Sequence, residues 1–212
     1  LRPEVDGEQM REQDWNGLRV GFVCGGLRVT TDEQSDCIGP RAHIVGFLAG
    51  LRDNGVDVQT YLAGDHVPVA ARRATSDHST RGGLARRVTV DMVRLGVRHV
   101  ASRRAHVAVG GNQHLIYERQ ASFQDIGRRA ARPGVPWVIE SNGPFWYEAV
   151  AERHSLGLPR VARRLELAAY RDADLVVAVS EELKASRRPA ATSGTYSSCR
   201  TPLTHTGSTR AS

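Results

Sequence analysis

At Leu18-Arg-Val-Gly-Phe-Val-Cys-Gly-Gly26, a short apolar run ends in two adjacent glycines. Such a run predicts a buried β-strand, and the glycines predict a tight turn after it. Apolar residues then recur at helical spacing from Ile44 to Leu51, and Asn54-Gly55 predicts the end of that helix. A second strand is predicted over 56–62. Strand, helix and strand in this order predict a parallel βαβ unit.

The same alternation continues along the chain. Residues 63–83 are polar or small and have no clear period, which predicts a surface loop. A long helix is predicted over 84–104, and the apolar runs 105–109 and 114–117 after it predict another strand. The apolar stripe of that helix contains Val88, Met92, Val93, Leu95 and Val100. The remaining predicted elements are a helix over 122–132, a strand over 135–140, an amphipathic helix over 158–171 and a buried strand over 174–180. This pattern predicts an α/β fold with a Rossmann-like, doubly wound parallel sheet.

Composition divides the 212 residues into three segments. Residues 1–17 form a polar leader, 18–184 carry the α/β pattern, and 185–212 contain almost no large apolar side chains. Because the last segment cannot bury enough surface to become ordered, it is predicted to be disordered.

The basic composition is weak evidence for a nucleic-acid partner. Of the net charge of +6, four positive charges lie after Lys184, where no acidic residue accompanies them, which leaves +2 for residues 1–184. The chain also has 28 arginines and one lysine, an imbalance typical of a GC-rich genome. We therefore expect no nucleic-acid partner.

The cysteines and the apolar runs bear on the compartment. Cys24, Cys37 and Cys199 are odd in number and lack the spacing of metal ligands, so we predict unpaired thiols and no metal site. No apolar run approaches the roughly 20 residues of a transmembrane helix, so no transmembrane segment is predicted. The first residues lack the apolar core of a secretory signal. A cytoplasmic location is the expectation.

Candidate ligand-binding residues follow the predicted strands, at the edge where ligands of open parallel sheets collect. Gly25 and Gly26 would let backbone N–H groups approach a phosphate or sugar closely, although a tight turn without a ligand explains them equally well. Arg119 ends a later strand, and its guanidinium suits hydroxyls or phosphate. Glu118 either faces the same cleft or pairs with Arg119.

The next strand is followed by a second group of candidates, Glu140, Asn142 and Glu148. Carboxylates, an amide and the aromatic face of Trp146 are typical of sites that bind sugar hydroxyls and pack a sugar ring. Trp137 is predicted to be a core residue, and Trp146 fits either role. The chain lacks the G-x-S-x-G pattern of a hydrolase, and the loop after the first strand lacks the G-x-G-x-x-G dinucleotide signature.

Several of these stretches together resemble the N-terminal half of GT-B glycosyltransferases of family 4. Three of them are the glycine-containing loop after the first strand, Leu48-Ala-Gly-Leu-Arg-Asp-Asn-Gly55 and His114-Leu-Ile-Tyr-Glu-Arg119. The two most specific are Trp137-Val-Ile-Glu-Ser-Asn-Gly-Pro-Phe-Trp-Tyr-Glu148 and Ala173-Asp-Leu-Val-Val-Ala-Val-Ser-Glu-Glu-Leu-Lys184. The resemblance covers residues 18–184.

The resemblance implies transfer of a sugar from a nucleotide sugar to an acceptor held by this half. The expected partner is a sugar or glycoconjugate acceptor, and peripheral association with a membrane is compatible with it. His43 lies where family members place a residue that faces the acceptor. Many relatives carry a histidine where this chain has Glu140-Ser-Asn142, so the role of that histidine is not transferred. The donor nucleotide would bind a second domain, so no cofactor is expected here and the chain would be inactive alone.

The last segment supports the same resemblance. Codons that encode Ser198 to Arg210, when read one nucleotide earlier, also permit a Pro-Asn-Ala-Val-Asp turn followed by an Arg-Phe pair. That peptide is similar to the segment that opens the C-terminal domain in the family. We interpret 185–212 as an out-of-frame tail that follows a frameshift near Lys184. Ser180, just before it, is predicted to be a helix N-cap.

Two hypotheses of other classes stay open. The first is a free-standing module that binds a sugar or nucleotide without catalysis, which requires a stable single domain and a genuine tail. The second is nucleic-acid binding through the arginine-rich tail, which predicts steep salt dependence and loss of binding when 185–212 are deleted.

Overall fold

The fold is described by a computed structural model that covers residues 15–33, 35, 37–74, 83–151, 153–178 and 195–198. Over the described residues its sheet contains six strands, and every neighbouring pair is parallel. The strands are β1 (Arg19–Cys24), β2 (Asp57–Leu62), β3 (Leu115–Arg119), β4 (Trp137–Ser141), β5 (Leu175–Ala178) and β6 (Thr195–Ser198), in the order β2-β1-β3-β4-β5-β6. The predicted α/β fold with a Rossmann-like, doubly wound parallel sheet is confirmed.

Helices cover both faces of this sheet. They are α1 (Ile38–Asp53), α2 (Val69–Ala74), α3 (Leu84–Val109), α4 (Ile126–Ala130), α5 (Phe145–Ala151) and α6 (Pro159–Asp172), with a 3-10 turn at Ala63–His66. Helix α1 packs on one face, whereas α3, α4 and α6 pack on the other. Successive side chains of a strand point to opposite faces, so each strand contributes to both layers of the core.

The β1 strand shows how the two layers form. Phe22 and Cys24 face α1, where they contact Ile44 and Leu48, and Val23 faces α3 and α4. All five side chains are at most 4% exposed. Burial of an apolar side chain of this size stabilises the fold by about 1.5–3 kcal/mol, so the apolar run chosen by the sequence analysis is central to stability.

Three predicted elements differ from the structure. The segment 63–83 is not only a surface loop, because it contains the 3-10 turn and α2, and Ala63 is buried. The apolar run 105–109 is the last turn of α3 rather than a strand. The helix predicted over 122–132 is only Ile126–Ala130, and α5 was not predicted.

The apolar stripe predicted for α3 is wrong in part, because Val88 and Leu95 are partly buried and the other three residues are exposed. Met92, Val93 and Val100 are between 47% and 57% exposed, whereas the buried face carries small residues such as Ala101 and Ala105. Small side chains let the helix lie close to the sheet and to α4, where a bulky residue would be overpacked. Helical periodicity located the helix but not the face that it buries.

The ends of the chain are covered only in part. The leader is described only from Trp15 onward, and Ser180 lies outside the described residues. Within 185–212 the structure describes a strand, β6 (Thr195–Ser198), that pairs in parallel with β5. The rest of the segment predicted to be disordered lies outside the described residues. None of the described helices has the length and hydropathy needed to cross a membrane.

Candidate functional site

The candidate site lies at the carboxyl ends of β1, β3 and β4. The chain crosses from β1 to β2 on one side and later enters β3 on the other side of β1, so a topological switch point lies between β1 and β3. Open parallel sheets bind ligands in the crevice at such a point. Gly25 and Gly26 follow β1, Arg119 ends β3, and Glu140 lies near the end of β4. The sequence-predicted residues therefore share one edge of the sheet.

Glu140 is the centre of a polar cluster. Its Oε1 accepts hydrogen bonds from Arg119 Nη1 at 2.5 Å and from Asn142 Nδ2 at 3.0 Å, and it lies 3.1 Å from His43 Nε2. Its Oε2 accepts a hydrogen bond from the Tyr117 hydroxyl at 3.0 Å. We call these five residues the Glu140 cluster. It unites four residues that were predicted separately, and Tyr117 is the member that sequence analysis had not selected.

Strand geometry explains why the cluster forms. Arg119 is directly opposite Glu140 in the β3–β4 register, and two-residue alternation puts Tyr117 on the same face. The Tyr117 ring packs against Phe47 of α1 with centroids 4.9 Å apart. One helical turn earlier, α1 presents His43, whose side chain is 46% exposed while that of Glu140 is 4% exposed. His43 therefore lies between a buried carboxylate and solvent.

Glu118 does not belong to this cluster. It points to the opposite face of the sheet, is 1% exposed, and accepts hydrogen bonds from the backbone N–H groups of Ile126 and Gly127 and from Trp137 Nε1. Its carboxylate thus holds the start of α4. The structure gives Glu118 a structural position rather than the predicted place in the cleft, and it does not pair with Arg119 because adjacent strand residues face opposite sides.

Burial raises the pKa of Glu118 from 4.5 to about 8, although the hydrogen bonds from Gly127, Ile126 and Trp137 oppose the shift. An acid whose pKa is higher in the folded state keeps its proton longer when folded, so stability falls as pH rises from about 4.5 to 8. We expect a decrease of roughly 1 kcal/mol per pH unit in this window. Urea unfolding of the wild type and Glu118→Gln at pH 5, 6, 7 and 8 measures it.

The Gln variant lacks the titrating group, so its stability should change less over the same pH range. Glutamine also places an N–H₂ group against backbone N–H donors. This lowers the free energy of unfolding by the same amount at every pH, so it does not change the slope of stability against pH. Parallel profiles for the two proteins would show that Glu118 titrates below this window.

A pocket of about 240 Å³ adjoins the Glu140 cluster and shares Arg119 with it. The loop after β1 forms one wall, including both predicted glycines, and residues after β3 form another. Gly25 is packed against the Gln124 side chain so closely that a Cβ atom there would lie 2.6 Å from Gln124 Oε1. This close approach accounts for the glycine, and Gly26 also lines the pocket.

The loop after β1 is anchored by a residue that sequence analysis missed. Asp65, in the 3-10 turn after β2, accepts hydrogen bonds from the Thr30 hydroxyl at 2.5 Å and from the Thr31 backbone N–H at 2.8 Å. Arg41 Nε donates to the Thr31 carbonyl from the other side at 3.0 Å. These contacts fix the loop that carries the predicted glycines. The position of Asp65 just after a predicted strand was the one available signal.

Glu148 lies beside the pocket rather than in the Glu140 cluster. Its Oε2 accepts a hydrogen bond from Arg153 Nη2 at 2.5 Å, and Arg153 lines the pocket.

Trp137 is buried as predicted, at 3% exposure. Trp146 packs in the cluster between α5 and α6, with the Arg163 guanidinium 5.5 Å from its ring centroid. The structure therefore favours the structural role of Trp146 over a sugar-stacking role.

The cysteines of the described chain carry no disulfide. Cys24 is fully buried, and burial raises the pKa of its thiol to about 12, which makes it a poor nucleophile. Cys37 is partly exposed, and Cys199 lies outside the described residues. Among the described residues, no group of three or more histidine, cysteine or acidic side chains is placed to hold a metal ion.

Comparison of the chain with models of known protein families and with curated protein sequences finds no match. Function must therefore be argued from the site. The Glu140 cluster offers one imidazole at the boundary with solvent, a fixed carboxylate and a fixed guanidinium, and the neighbouring pocket has room for a small polar molecule. Such groups bind hydroxyls, which donate and accept hydrogen bonds, and oxyanions, which accept them.

Proposed function

We propose that this chain is the acceptor-binding half of a nucleotide-sugar-dependent glycosyltransferase of the GT-B type. The supporting observation is the Glu140 cluster, which lies beside a pocket at the switch point of a doubly wound sheet. The resemblance of 137–148 and 173–184 to family 4 enzymes adds to it. The stretch 137–148 provides two members of the cluster, Glu140 and Asn142.

The cluster is suited to a polyhydroxylated acceptor. Sugars present several hydroxyls, each of which donates one hydrogen bond and accepts others. Glu140 is saturated by its own donors, so it acts by holding them in place. His43 and Asn142 are then the members that contact a hydroxyl, because they lie at the partly exposed rim of the cluster.

In this proposal the chain contributes binding and orientation, and a second domain contributes the donor. A fixed acceptor hydroxyl lowers the entropic cost of its reaction with the sugar donor. The groups that neutralise the donor diphosphate would come from that second domain. Transfer by the isolated chain is therefore not expected. A cytoplasmic location and peripheral contact with a membrane that carries the acceptor remain parts of the proposal.

Ligand binding by the chain tests the proposal. Saturation-transfer NMR with glucose, mannose and inositol is expected to show millimolar binding of at least one of them. His43→Ala should weaken that binding about fivefold or more, because it removes one hydrogen bond to the ligand. His99→Ala is the matched control, since His99 is an exposed histidine on α3, on the opposite face of the sheet. Equal effects of the two substitutions, or no binding of any polyol, would contradict the proposal.

A second candidate is a module that binds the same ligands without catalysis. The observation in its favour is β6, because pairing of Thr195–Ser198 with β5 makes part of the last segment belong to the sheet. DNA sequencing downstream of the Lys184 codon, translated in all three frames, separates the two candidates. A downstream frame that encodes a second nucleotide-binding domain with a spaced pair of acidic residues would support the transferase. Its absence would support the binding module.

A further inference from the structure

The pocket beside the Glu140 cluster has four arginines in its wall. They are Arg28, Arg94, Arg119 and Arg153. They come from four separate parts of the chain, namely the loop after β1, helix α3, the end of β3 and the segment after α5. None of the described residues that line the pocket is acidic. A wall of this kind presents guanidinium N–H donors, which suit the oxygens of an anion.

Carboxylates behind the pocket hold three of these arginines in place. Arg94 pairs with Asp91 at 3.1 Å, and Arg153 pairs with Glu148 at 2.5 Å. Arg119 pairs with Glu140, as described above. An arginine that is already fixed loses less conformational entropy when it binds a second anion, and its planar fork matches the oxygens of phosphate. The arrangement is therefore pre-organised for an oxyanion.

Gln124 belongs to the same wall of the pocket. Gln124 is 4% exposed and lines the pocket, and its Nε2 donates to the carbonyl oxygen of Arg94 at 3.2 Å. Its buried Oε1 accepts no hydrogen bond from the described part of the chain. This oxygen packs beside Gly25 and is closed off from the pocket, so Gln124 shapes the wall rather than contacting a ligand.

We propose that this pocket binds the phosphate group of a phosphorylated polyol, so that the acceptor of the proposed transfer is a sugar phosphate or a similar phosphate monoester. That the ligand is an acceptor rests on the proposed function, whereas the binding of a phosphate group to this pocket does not. The volume of about 240 Å³ lies below the roughly 300–1,000 Å³ of sites for drug-sized ligands, which suits a compact ligand. The hydroxyls of the ligand would then point to the Glu140 cluster through the shared Arg119.

Calorimetric titration with glucose 6-phosphate and with glucose tests this inference. Glucose 6-phosphate is expected to bind at least about tenfold more tightly than glucose, because charge-assisted hydrogen bonds to phosphate are stronger than neutral ones. Inorganic phosphate should compete with it. Raising the salt concentration should weaken binding of the sugar phosphate and leave binding of glucose unchanged.

Two substitutions locate the effect in the pocket. Arg28→Gln and Arg153→Gln should each weaken glucose 6-phosphate binding about tenfold, with little change for glucose. Arg132→Gln is the matched control, because Arg132 is exposed and lies before β4, at the amino ends of the strands. If Arg153→Gln lowers the melting temperature, Arg153→Lys replaces it in the test. Lysine retains the charge but not the planar fork of the guanidinium, so its loss of glucose 6-phosphate affinity should be intermediate.

The outcomes separate this inference from the proposed function. Equal affinities for glucose and glucose 6-phosphate, or equal losses in Arg28→Gln and Arg132→Gln, would overturn the phosphate site and leave the acceptor-binding proposal standing. Tight binding of glucose 6-phosphate that depends on Arg28 but not on His43 would support the phosphate site and weaken the proposed role of the Glu140 cluster. Absence of binding by either ligand would overturn both.

Discussion

Glu140→Ala is expected to lower the free energy of unfolding by about 3–5 kcal/mol, the usual result of removing one partner from a buried ion pair. The Arg119 side chain is 12% exposed, so its charge would be left without a counter-ion in a poorly hydrated place. The Tyr117 hydroxyl and the Asn142 amide would lose their common acceptor at the same time. Urea unfolding at pH 7 measures the change.

Two comparisons make this result specific to the buried network. Glu140→Gln retains the volume and one carbonyl oxygen, so its loss should be about half as large. Glu33→Ala removes a glutamate whose side chain is 93% exposed and lies 3.9 Å from Arg41, and such surface pairs contribute about 0–1 kcal/mol. If Glu140→Ala costs no more than Glu33→Ala, the carboxylate does not organise the site.

The same variants connect stability to ligand binding. Glu140→Gln should fold, yet the imidazole of His43 and the amide of Asn142 would no longer share a charged acceptor that fixes both. We therefore expect weaker binding of neutral sugars in this variant, in line with the role of Glu140 in holding the groups that contact a hydroxyl. Glucose 6-phosphate should lose less affinity, because its phosphate is held mainly by the arginines of the neighbouring pocket.

The sheet and the place of the site could be predicted from the sequence because both depend on local signals. The apolar run before Gly25 and the run before Ser141 are short, are bounded by turn residues and alternate with helical periods. In a doubly wound sheet the residues after such runs converge at one edge, and four predicted residues meet there in the Glu140 cluster. Residue type and position after a predicted strand were sufficient to place the site at this edge.

The faces of the elements were harder to predict. Two-residue alternation already requires Glu118 and Arg119 to lie on opposite faces of β3, but only the packing of α1 decides which of them reaches the site. In α3 the small residues Ala101 and Ala105 form the buried face, because close packing on the sheet outweighs the gain from burying Val93. Hydrophobicity alone does not distinguish these faces.

Contacts between distant parts of the chain could not be predicted at all. Asp65 anchors Thr30 across 35 positions, and Arg153 lines the same pocket as the loop after β1, more than 100 positions earlier. Each of these residues is an ordinary polar residue in its local sequence. Their roles arise only when the strand order brings the loops together. An anionic ligand could therefore be inferred from the folded chain but not from the sequence.

Asp91→Ala is expected to lower the free energy of unfolding by about 3–5 kcal/mol. Asp91 is fully buried, and its Oδ2 accepts hydrogen bonds from the backbone N–H groups of Gly157 at 2.7 Å and Leu158 at 2.9 Å. Leu158 is the residue before the first turn of α6, so this carboxylate fastens the start of α6 to α3. A negative charge at that position also interacts favourably with the helix dipole.

The effect should extend from stability to the pocket, because Oδ1 of Asp91 also pairs with Arg94. Asp91→Asn keeps an acceptor for the α6 N–H groups but turns an amide N–H₂ toward the guanidinium, so a loss of about 1–3 kcal/mol is expected. Asp57→Ala, at an exposed position in β2, is the control and should cost less than about 0.5 kcal/mol. With the Arg94–Asp91 ion pair removed, glucose 6-phosphate should bind more weakly to Asp91→Asn, whereas glucose binding should be retained. Unchanged affinity for the phosphate in a folded Asp91→Asn protein would show that the position of Arg94 does not matter to the ligand, and that the other three arginines suffice.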